Sequence, residues 1–294
     1  MIDKLTIVGY STALYSTWIN IQELDLLFDA GDGLCAGLMQ KTGKIKHVFI
    51  SHADRDHLSG LLQFVQLNSR NNLPVIHYPK DSGSFLALRD FMAKFDPHAT
   101  GSLWKPISDK SSSPFKSGYE IEAIRNNHIP APPGIDKSLS FKLHYTKKKL
   151  KSEFAHLSPE EIKQIVSDKG RDFITTPVKT NVLSYSGDTP IENYARWDQS
   201  DILIHEATFI NEDNVKINDA AYGKHSTLQQ VMEMVREISV GKVILTHFST
   251  RYSKLQIKEA ILEQIKAYNI KVPIYVIYPG EINRDVLASE PINA

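Results

Sequence analysis

Two histidines and two aspartates lie within six consecutive residues of the stretch 51–60, SHADRDHLSG, directly after an apolar run. Imidazole nitrogens and carboxylate oxygens bind divalent metal ions, and a catalytic metal site also keeps a position for water. In extended backbone, side chains two residues apart point the same way, so His52 and Asp54 can face one ion. Asp56 and His57, after a turn, can face a second ion. The alternative is structural: the aspartates cap the next helix and the histidines lie at the surface.

Further candidate ligands follow other apolar segments. His128 lies in NNHIP, Asp188 in YSGDT and His247 in LTHFS, each after a segment with strand character. Singly, each also fits a structural role, as a hydrogen-bonded core histidine or an aspartate in an Asx turn. Together with the cluster at 52–57 they supply ligands for two ions, and the two oxygens of Asp188 suit it to bridge them.

The elements that must position these residues alternate between strands and helices. Apolar alternation and short apolar runs predict strands at 4–9, 20–22, 25–29, 46–51, 74–78, 141–145, 181–185, 202–205 and 243–246, with strand and turn material at 106–125. The first three strands form a predicted β-meander. Helical spacing predicts helices at 33–40, 58–68 and 84–95, and one from 159 to 167 or 168 with Ser158 as its N-cap.

Four of the predicted strands stop at Ser51, Tyr185, Ile204 and Thr246, and each delivers a histidine, aspartate or glutamate within three residues. In layered α/β proteins, functional side chains collect at strand ends, where the sheet fixes the backbone and loops leave room for ligands. This recurrence predicts that the candidate ligands meet in one site.

Composition limits the class of protein. With 294 residues, of which 41% are apolar and 23% charged, we expect one large domain. Lys+Arg and Asp+Glu both number 34, so a nucleic-acid partner must be recognised locally rather than through net charge. The single cysteine, Cys35, excludes an internal disulfide. No apolar run is long enough to span a membrane and the N-terminus lacks a secretory pattern, so we expect a soluble cytoplasmic protein without a membrane partner.

The ordered motifs resemble the metallo-β-lactamase superfamily and, within it, the ribonuclease Z (tRNase Z) family. The narrowest of them are DILIHEATF at 201–209, KHSTLQQ at 224–230 and LTHFSTRY at 245–252. The resemblance covers nearly the whole chain. It implies an α/β protein with the metallo-β-lactamase fold, a four-layer αββα sandwich of two mixed β-sheets flanked by helices. It also implies a single domain over 1–294 with a short basic insertion around 145–172, similar to short-form members of the family.

This resemblance implies a pair of divalent metal ions, with zinc as the default. His52, Asp54, His128 and Asp188 would hold one ion, and Asp56, His57, Asp188 and His247 the other. A metal-activated hydroxide then attacks phosphorus, with Asp56 counted as catalytic as well as ligating. Glu206 and His225 are assigned the proton transfer to the departing 3′ oxygen. The alternative makes Glu206 a helix cap and His225 a surface residue.

One position departs from the family pattern His-x-His-x-Asp-His. This chain reads HADRDH, with Asp54 where the second histidine belongs. A carboxylate still ligates, but it is harder and adds a negative charge. The resemblance therefore implies either a site that favours manganese or iron more than usual, or one that loses its ion.

Substrate contacts and supporting residues follow from the same motifs. Ser249 and Arg251 are candidates for binding a phosphate, because hydroxyl groups and guanidinium forks suit phosphoryl oxygens. The alternative for Arg251 is an ion pair with a core carboxylate. Asp29 is expected to accept a hydrogen bond from a ligating histidine, and His205 to have a similar supporting part. The basic run KKKLK at 147–151 either contacts RNA or forms a solvated face.

Three functions remain open. The first is a metal-dependent endoribonuclease for tRNA 3′ processing, acting on a tRNA precursor as a homodimer, as the resemblance implies. The second is a hydrolase of the same fold that acts on a small phosphodiester or ester without tRNA activity. The third is a binding protein depleted of metal through Asp54.

Overall fold

Two mixed β-sheets pack face to face at the centre of the structure. The computed structural model describes residues 4–96, 100–211 and 223–294. The first sheet contains, in spatial order, β1 (Ile7–Thr12), β2 (Ser16–Ile21), β3 (Leu26–Phe28), β4 (His47–Phe49), β5 (Val75–Pro79) and β6 (Leu103–Ile107). Its first three strands are antiparallel, as the predicted β-meander requires, and the others run parallel.

In the second sheet, too, neighbouring strands follow one another along the chain. This sheet contains β7 (Ser112–Lys116), β8 (Tyr119–Arg125), β9 (Leu139–Leu150), β10 (Thr175–Tyr185), β11 (Leu203–Glu206), β12 (Val243–Thr246) and β13 (Ile274–Val276). The strands β10 to β13 are parallel, whereas β7 to β10 are antiparallel. Three parallel strands, β10, β11 and β12, therefore end side by side at one edge.

Helices cover the outer face of each sheet. Those described are α1 (Leu34–Leu38), α2 (Arg55–Leu58), α3 (Leu61–Asn68), α4 (Gly83–Phe95), α5 (Pro159–Lys169), α6 (Arg171–Ile174), α7 (Leu228–Glu237) and α8 (Lys254–Tyr268). The helices α1, α3 and α4 pack on the first sheet, and α7 and α8 on the second. Within the described ranges, no helix is long and apolar enough to cross a bilayer.

Alternation along the strands builds these layers. Because successive strand residues point to opposite faces, Phe28 enters the core between the sheets while Leu27 packs under the helices. On the second sheet, Ile204 faces the inner core and Leu203 faces α7 and α8. The inner core is aromatic at its centre, where the Phe28 ring lies 5.1 Å from the ring of Tyr185. The result is the four-layer αββα sandwich that the resemblance implied.

Pairing with a neighbouring strand makes β9 longer than the apolar pattern of the sequence predicts. The predicted strand 141–145 is wrong in extent, since β9 continues to Leu150 and pairs with the first half of β10. Cross-strand hydrogen bonds stabilise these polar residues in extended form although their side chains show no apolar alternation. The helix predicted from 159 is confirmed, with a capping box between Ser158 and Glu161. The stretch 145–172, expected as an insertion, contains the outer part of β9, all of α5 and the first half of α6.

Candidate metal centre

Loops at the ends of the strands bring the seven proposed ligands together. His52 and Asp54 follow β4, and Asp56 and His57 lie on α2. The other three follow β8, β10 and β12, in the order His128, Asp188 and His247. We call these seven residues the donor cluster. His247 has a φ of 63°, a left-handed conformation that is costly for histidine and is typical of strained functional positions.

Asp188 lies at the middle of the donor cluster. Its Oδ2 atom is 3.3 Å from the Nε2 atoms of both His57 and His247, and 3.8 Å from Nε2 of His52. Burial by itself raises the pKa of Asp188, but the neighbouring His247 and His57 hold that pKa well below its usual value. The carboxylate is therefore ionised.

Two triads flank Asp188. In the first, Oδ2 of Asp54 lies 3.6 Å from Nε2 of His52 and 3.4 Å from Nε2 of His128. In the second, Oδ2 of Asp56 lies 3.5 Å from Nε2 of His57 and 3.6 Å from Nε2 of His247. Each triad places its three ligand atoms within 4.8 Å of one another. The structure thus brings together the two groups that the sequence assigned to two ions.

The alternative structural roles do not match this geometry. Asp54 occupies the N-cap position of α2, but its side chain makes no capping hydrogen bond. His52 and His57 are fully buried rather than at the surface. Glu206 ends β11 and is buried, so it does not cap a helix.

The Nδ1 atoms of the four histidines in the donor cluster are held by partners outside it. Nδ1 of His52 lies 2.8 Å from Ser51 Oγ, and Nδ1 of His57 lies 2.8 Å from Asp29 Oδ2. Nδ1 of His128 lies 3.1 Å from the Lys224 carbonyl oxygen, and Nδ1 of His247 lies 2.9 Å from Thr208 Oγ1. The Ser51 and Thr208 hydroxyls donate to Asp29 and Glu206, so they accept from the imidazoles. Each Nδ1 therefore carries the proton, which leaves the lone pair on Nε2.

This tautomer sets a test for metal binding. Among the residues that the structure describes, the buried Nε2 atoms of His52, His57 and His247 have no hydrogen-bond partner. In the neutral imidazole each lone pair faces carboxylate oxygens, and two such acceptors repel each other unless a metal cation or a proton on Nε2 lies between them. Imidazole nitrogen and carboxylate oxygen are the donors that zinc, manganese and iron accept. The donor cluster fits a pair of divalent cations on its own chemistry.

Asp29 stands behind this site as the sequence predicted. Its buried carboxylate accepts hydrogen bonds from the Ser51 amide and hydroxyl, from His57 Nδ1 and from the Tyr185 hydroxyl. His205 has a different place. Its ring donates to the Glu206 carbonyl at 2.8 Å and packs edge-on against Trp197, on the opposite side of β11 from the donor cluster.

Glu206 and His225 form a pair beside the donor cluster. Nδ1 of His225 donates to the Glu206 carboxylate at 3.0 Å, and lies 3.9 Å from Oδ2 of Asp188. Glu206 is fixed by two further donors, the Thr189 amide at 2.6 Å and the Thr208 hydroxyl at 2.5 Å. Burial lowers the pKa of His225, but the Glu206 carboxylate outweighs this and raises the pKa to about 9. An imidazole held in this way is suited to donate a proton.

The donor cluster opens into a cavity of about 510 Å³. His225, Ser249 and Arg251 line it, so the predicted phosphate-binding residues reach the site. Nε of Arg251 donates to Ser249 Oγ at 3.2 Å, and its guanidinium lies over the Phe209 ring at 5.0 Å.

Several contributors were not found from the sequence. Ser51, Thr208 and the Lys224 carbonyl orient histidines of the donor cluster, and Leu14 and Ile129 line the cavity. Thr208 belongs to the HEAT motif, so its position beside Glu206 was a usable signal. The others have no signal in the sequence, because a backbone carbonyl and a turn leucine gain their roles only through the fold.

Comparison with known proteins agrees with the fold and the motifs. No family model matches the chain. Ribonuclease Z from Pyrococcus horikoshii is 31% identical over 255 residues, which are 81% of this chain and 81% of that protein. The chloroplastic tRNase Z TRZ2 of Arabidopsis thaliana is 27% identical over 288 residues, covering 92% of this chain and 75% of that protein.

Among solved structures, the metallo-β-lactamase fold protein YhfI from Bacillus subtilis superposes with a TM-score of 0.62 and 14% identity, covering 96% of this chain and all of that chain. This likeness establishes the fold. The 31% identity to the Pyrococcus horikoshii protein, over four fifths of both chains, establishes the family as well. It agrees with the motifs that surround the donor cluster. The protein belongs to the ribonuclease Z family of metal-dependent hydrolases.

Proposed function

We propose that this protein is an endoribonuclease that removes 3′ extensions from precursor tRNA by hydrolysing a phosphodiester. The observation that carries the proposal is the Glu206–His225 pair beside the donor cluster in a member of the ribonuclease Z family. Family membership supports the substrate, and the pair supports a hydrolysis that needs a proton donor.

We assign His52, Asp54, His128 and Asp188 to one divalent ion, and Asp56, His57, Asp188 and His247 to the other. Zinc is the default for this mixture of nitrogen and oxygen donors. Cations bound here supply Lewis acidity, which lowers the pKa of water and offsets charge on phosphoryl oxygens. The buried, unpartnered Nε2 atoms and the converging carboxylates support the assignment.

The chain's own residues then handle substrate and proton. Glu206, fixed by Thr189 and Thr208, holds the His225 ring so that its Nδ1 is occupied. Because His225 lines the cavity, its free Nε2 side meets the leaving group, and we assign it the proton given to the departing 3′ oxygen. Ser249 and Arg251 bind the phosphate from the rim.

Asp54 gives this site its own metal preference. Its side chain is 55% exposed, unlike the buried His52 and His128 beside it. A third carboxylate in the cluster favours harder cations, so we propose manganese or iron as competent occupants of the first site. Competition dialysis tests this: Asp54→His should raise bound zinc relative to manganese, and an unchanged metal ratio contradicts it.

The basic hairpin is a proposed RNA contact. Lys147 and Lys149 lie on the same face of β9, since they are two residues apart in a strand. On the neighbouring positions, Lys148 pairs with Asp172, and Lys151 donates to the Phe173 carbonyl. We propose that Lys147 and Lys149 meet tRNA phosphates, which predicts weaker binding at high salt.

The family resemblance also supports proposals for the oligomeric state and the cellular location. We propose a homodimer, which sedimentation velocity tests directly; a monomer at assay concentration contradicts it. We also propose a cytoplasmic location.

A small phosphodiester is the second candidate substrate. The equal numbers of acidic and basic residues favour it, because net charge gives no attraction for a polyanion. A labelled precursor tRNA with a 3′ trailer separates the two. Metal-loaded protein should cut it at one position next to the discriminator nucleotide, and Glu237→Gln, at an exposed site, should cut equally well. Turnover of a chromogenic diester without tRNA cleavage contradicts the RNA function.

A further inference from the structure

Leu14 occupies an unusual position for a leucine. It lies in the tight turn between β1 and β2, where its φ of 71° falls in the left-handed region. Glycine and asparagine adopt this conformation readily, whereas leucine does so at a cost. Its side chain is also 89% exposed, so it contributes almost no packing to the fold. The three-residue turn accounts for the left-handed conformation, but stability does not explain why the residue there is leucine.

The turn places this leucine at the rim of the cavity over the donor cluster. Its position is fixed on both sides. The Ala13 amide donates to the Phe248 carbonyl at 3.3 Å, directly beside the ligand His247, and the Tyr15 amide donates to the Thr12 carbonyl at 3.0 Å. The backbone that carries the exposed side chain is thus held at a fixed place relative to the donor cluster.

The cavity joins a charged floor to apolar walls. The three carboxylates of the donor cluster, with His128 and His247, form the floor, while Leu14, Ile129, Pro130 and Phe209 supply apolar lining. A phosphodiester whose phosphate sits on the floor must direct its two substituents toward these walls. In a nucleic acid those substituents carry bases, whose flat faces pack on apolar and aromatic side chains.

We propose that Leu14 is a specificity-determining residue that packs against the nucleobase next to the scissile phosphate. The inference rests on the proposed phosphodiesterase function and adds the base as a recognised group. Strain kept at an exposed residue beside a reaction centre is typical of a functional constraint.

The test compares two small substrates with the same leaving group. Thymidine 5′-(p-nitrophenyl phosphate) carries a base, and methyl p-nitrophenyl phosphate does not. Metal-loaded wild-type protein should prefer the thymidine diester in kcat/KM. Leu14→Asn should lower this preference about tenfold, mainly through KM, as expected for loss of one stacking contact. Leu14→Met should retain it.

A matched control is Leu255→Asn, which removes a leucine that is 63% exposed on α8 and does not line the cavity. This control should keep the wild-type preference. The melting temperature of Leu14→Asn should equal or exceed that of wild type, because asparagine tolerates the left-handed backbone. A lower melting temperature would indicate a structural role and overturn the proposal.

The same variants are assayed on precursor tRNA with an abasic nucleotide on either side of the cleavage position. Removal of the contacted base should slow the wild-type protein and abolish the difference between it and Leu14→Asn. If neither assay shows a base effect, the proposal is wrong, even where precursor tRNA is cleaved normally. A base preference that depends on Leu14 without tRNA cleavage contradicts the RNA function and leaves this inference standing.

Discussion

Replacing Asp29 by asparagine tests how strongly the fold depends on the residue behind the metal centre. Oδ1 of the buried carboxylate accepts from the Ser51 amide and hydroxyl, and Oδ2 accepts from His57 Nδ1 and the Tyr185 hydroxyl. An amide has one acceptor oxygen, so in either orientation its NH₂ group faces two donors. The Ser51 and Tyr185 hydroxyls can accept from this NH₂ group, and Ser51 Oγ also lies 2.9 Å from Oδ2. The change therefore removes at least one hydrogen bond to the carboxylate, either from the Ser51 amide or from His57 Nδ1.

Such a bond contributes about 1.5–3 kcal/mol, so the Asp29→Asn variant should lose roughly that amount of unfolding free energy. Metal affinity should fall about 10- to 100-fold, because His57 loses the partner that fixes its tautomer. Urea denaturation and metal titration measure the two effects. Tyr185→Phe removes one donor and is the matched control, with an expected loss of about 1–2 kcal/mol. A loss below about 1 kcal/mol in the asparagine variant, with metal affinity retained, would refute the reasoning.

Two other predictions concern proton transfer and pH. Glu206→Gln should keep the metal content of the wild type but lower kcat about 10²- to 10⁴-fold, since His225 loses its charged partner; full activity would contradict the proton-transfer role. Burial lowers the pKa of His77, which stacks on Phe49 at 4.0 Å, to about 3. In the unfolded chain His77 binds a proton near pH 6.5, whereas in the folded protein it stays neutral until about pH 3. Because protonation then favours the unfolded chain, the unfolding free energy falls below pH 6.5, by about 2 kcal/mol at pH 5. Urea titrations at pH 7 and 5 should show this loss in the wild type and a smaller one in His77→Gln; equal losses in the two proteins would contradict it.

The sequence predicted the donor cluster well because its residues follow strands with clear patterns. Val48 and Phe49 form a short apolar run that fixes β4, and HADRDH comes directly after it. The parallel strands β10 and β12 also end close to their predicted positions, at Tyr185 and Thr246. The local sequence pattern was therefore sufficient to predict a residue of the donor cluster where that residue directly follows a buried strand.

Prediction was weaker where pairing between distant segments decides the structure. The outer half of β9 is polar, and only its register with β10, such as Val178 opposite Lys147, makes it a strand. Helices α7 and α8 were not predicted, although Thr227 and Ser253 each begin a capping box with a glutamine three residues later. That local signal was available and was missed.

The histidine partners show the same limit at the site. Aspartate behind a ligating histidine is a common arrangement, so Asp29 was predicted from its place at the end of a strand. Ser51 Oγ and the Lys224 carbonyl were not, because any serine or backbone carbonyl can fill that role once the fold brings it within reach.

The most direct test of the central claim is the metal content of wild-type protein and of Asp188→Ala, both purified without added metal. Because Oδ2 of Asp188 lies between the two triads, the wild type should contain about two divalent ions per chain, and the variant should lose both while remaining folded by circular dichroism. A wild-type protein without metal, or a variant that retains the full metal content, would contradict the account.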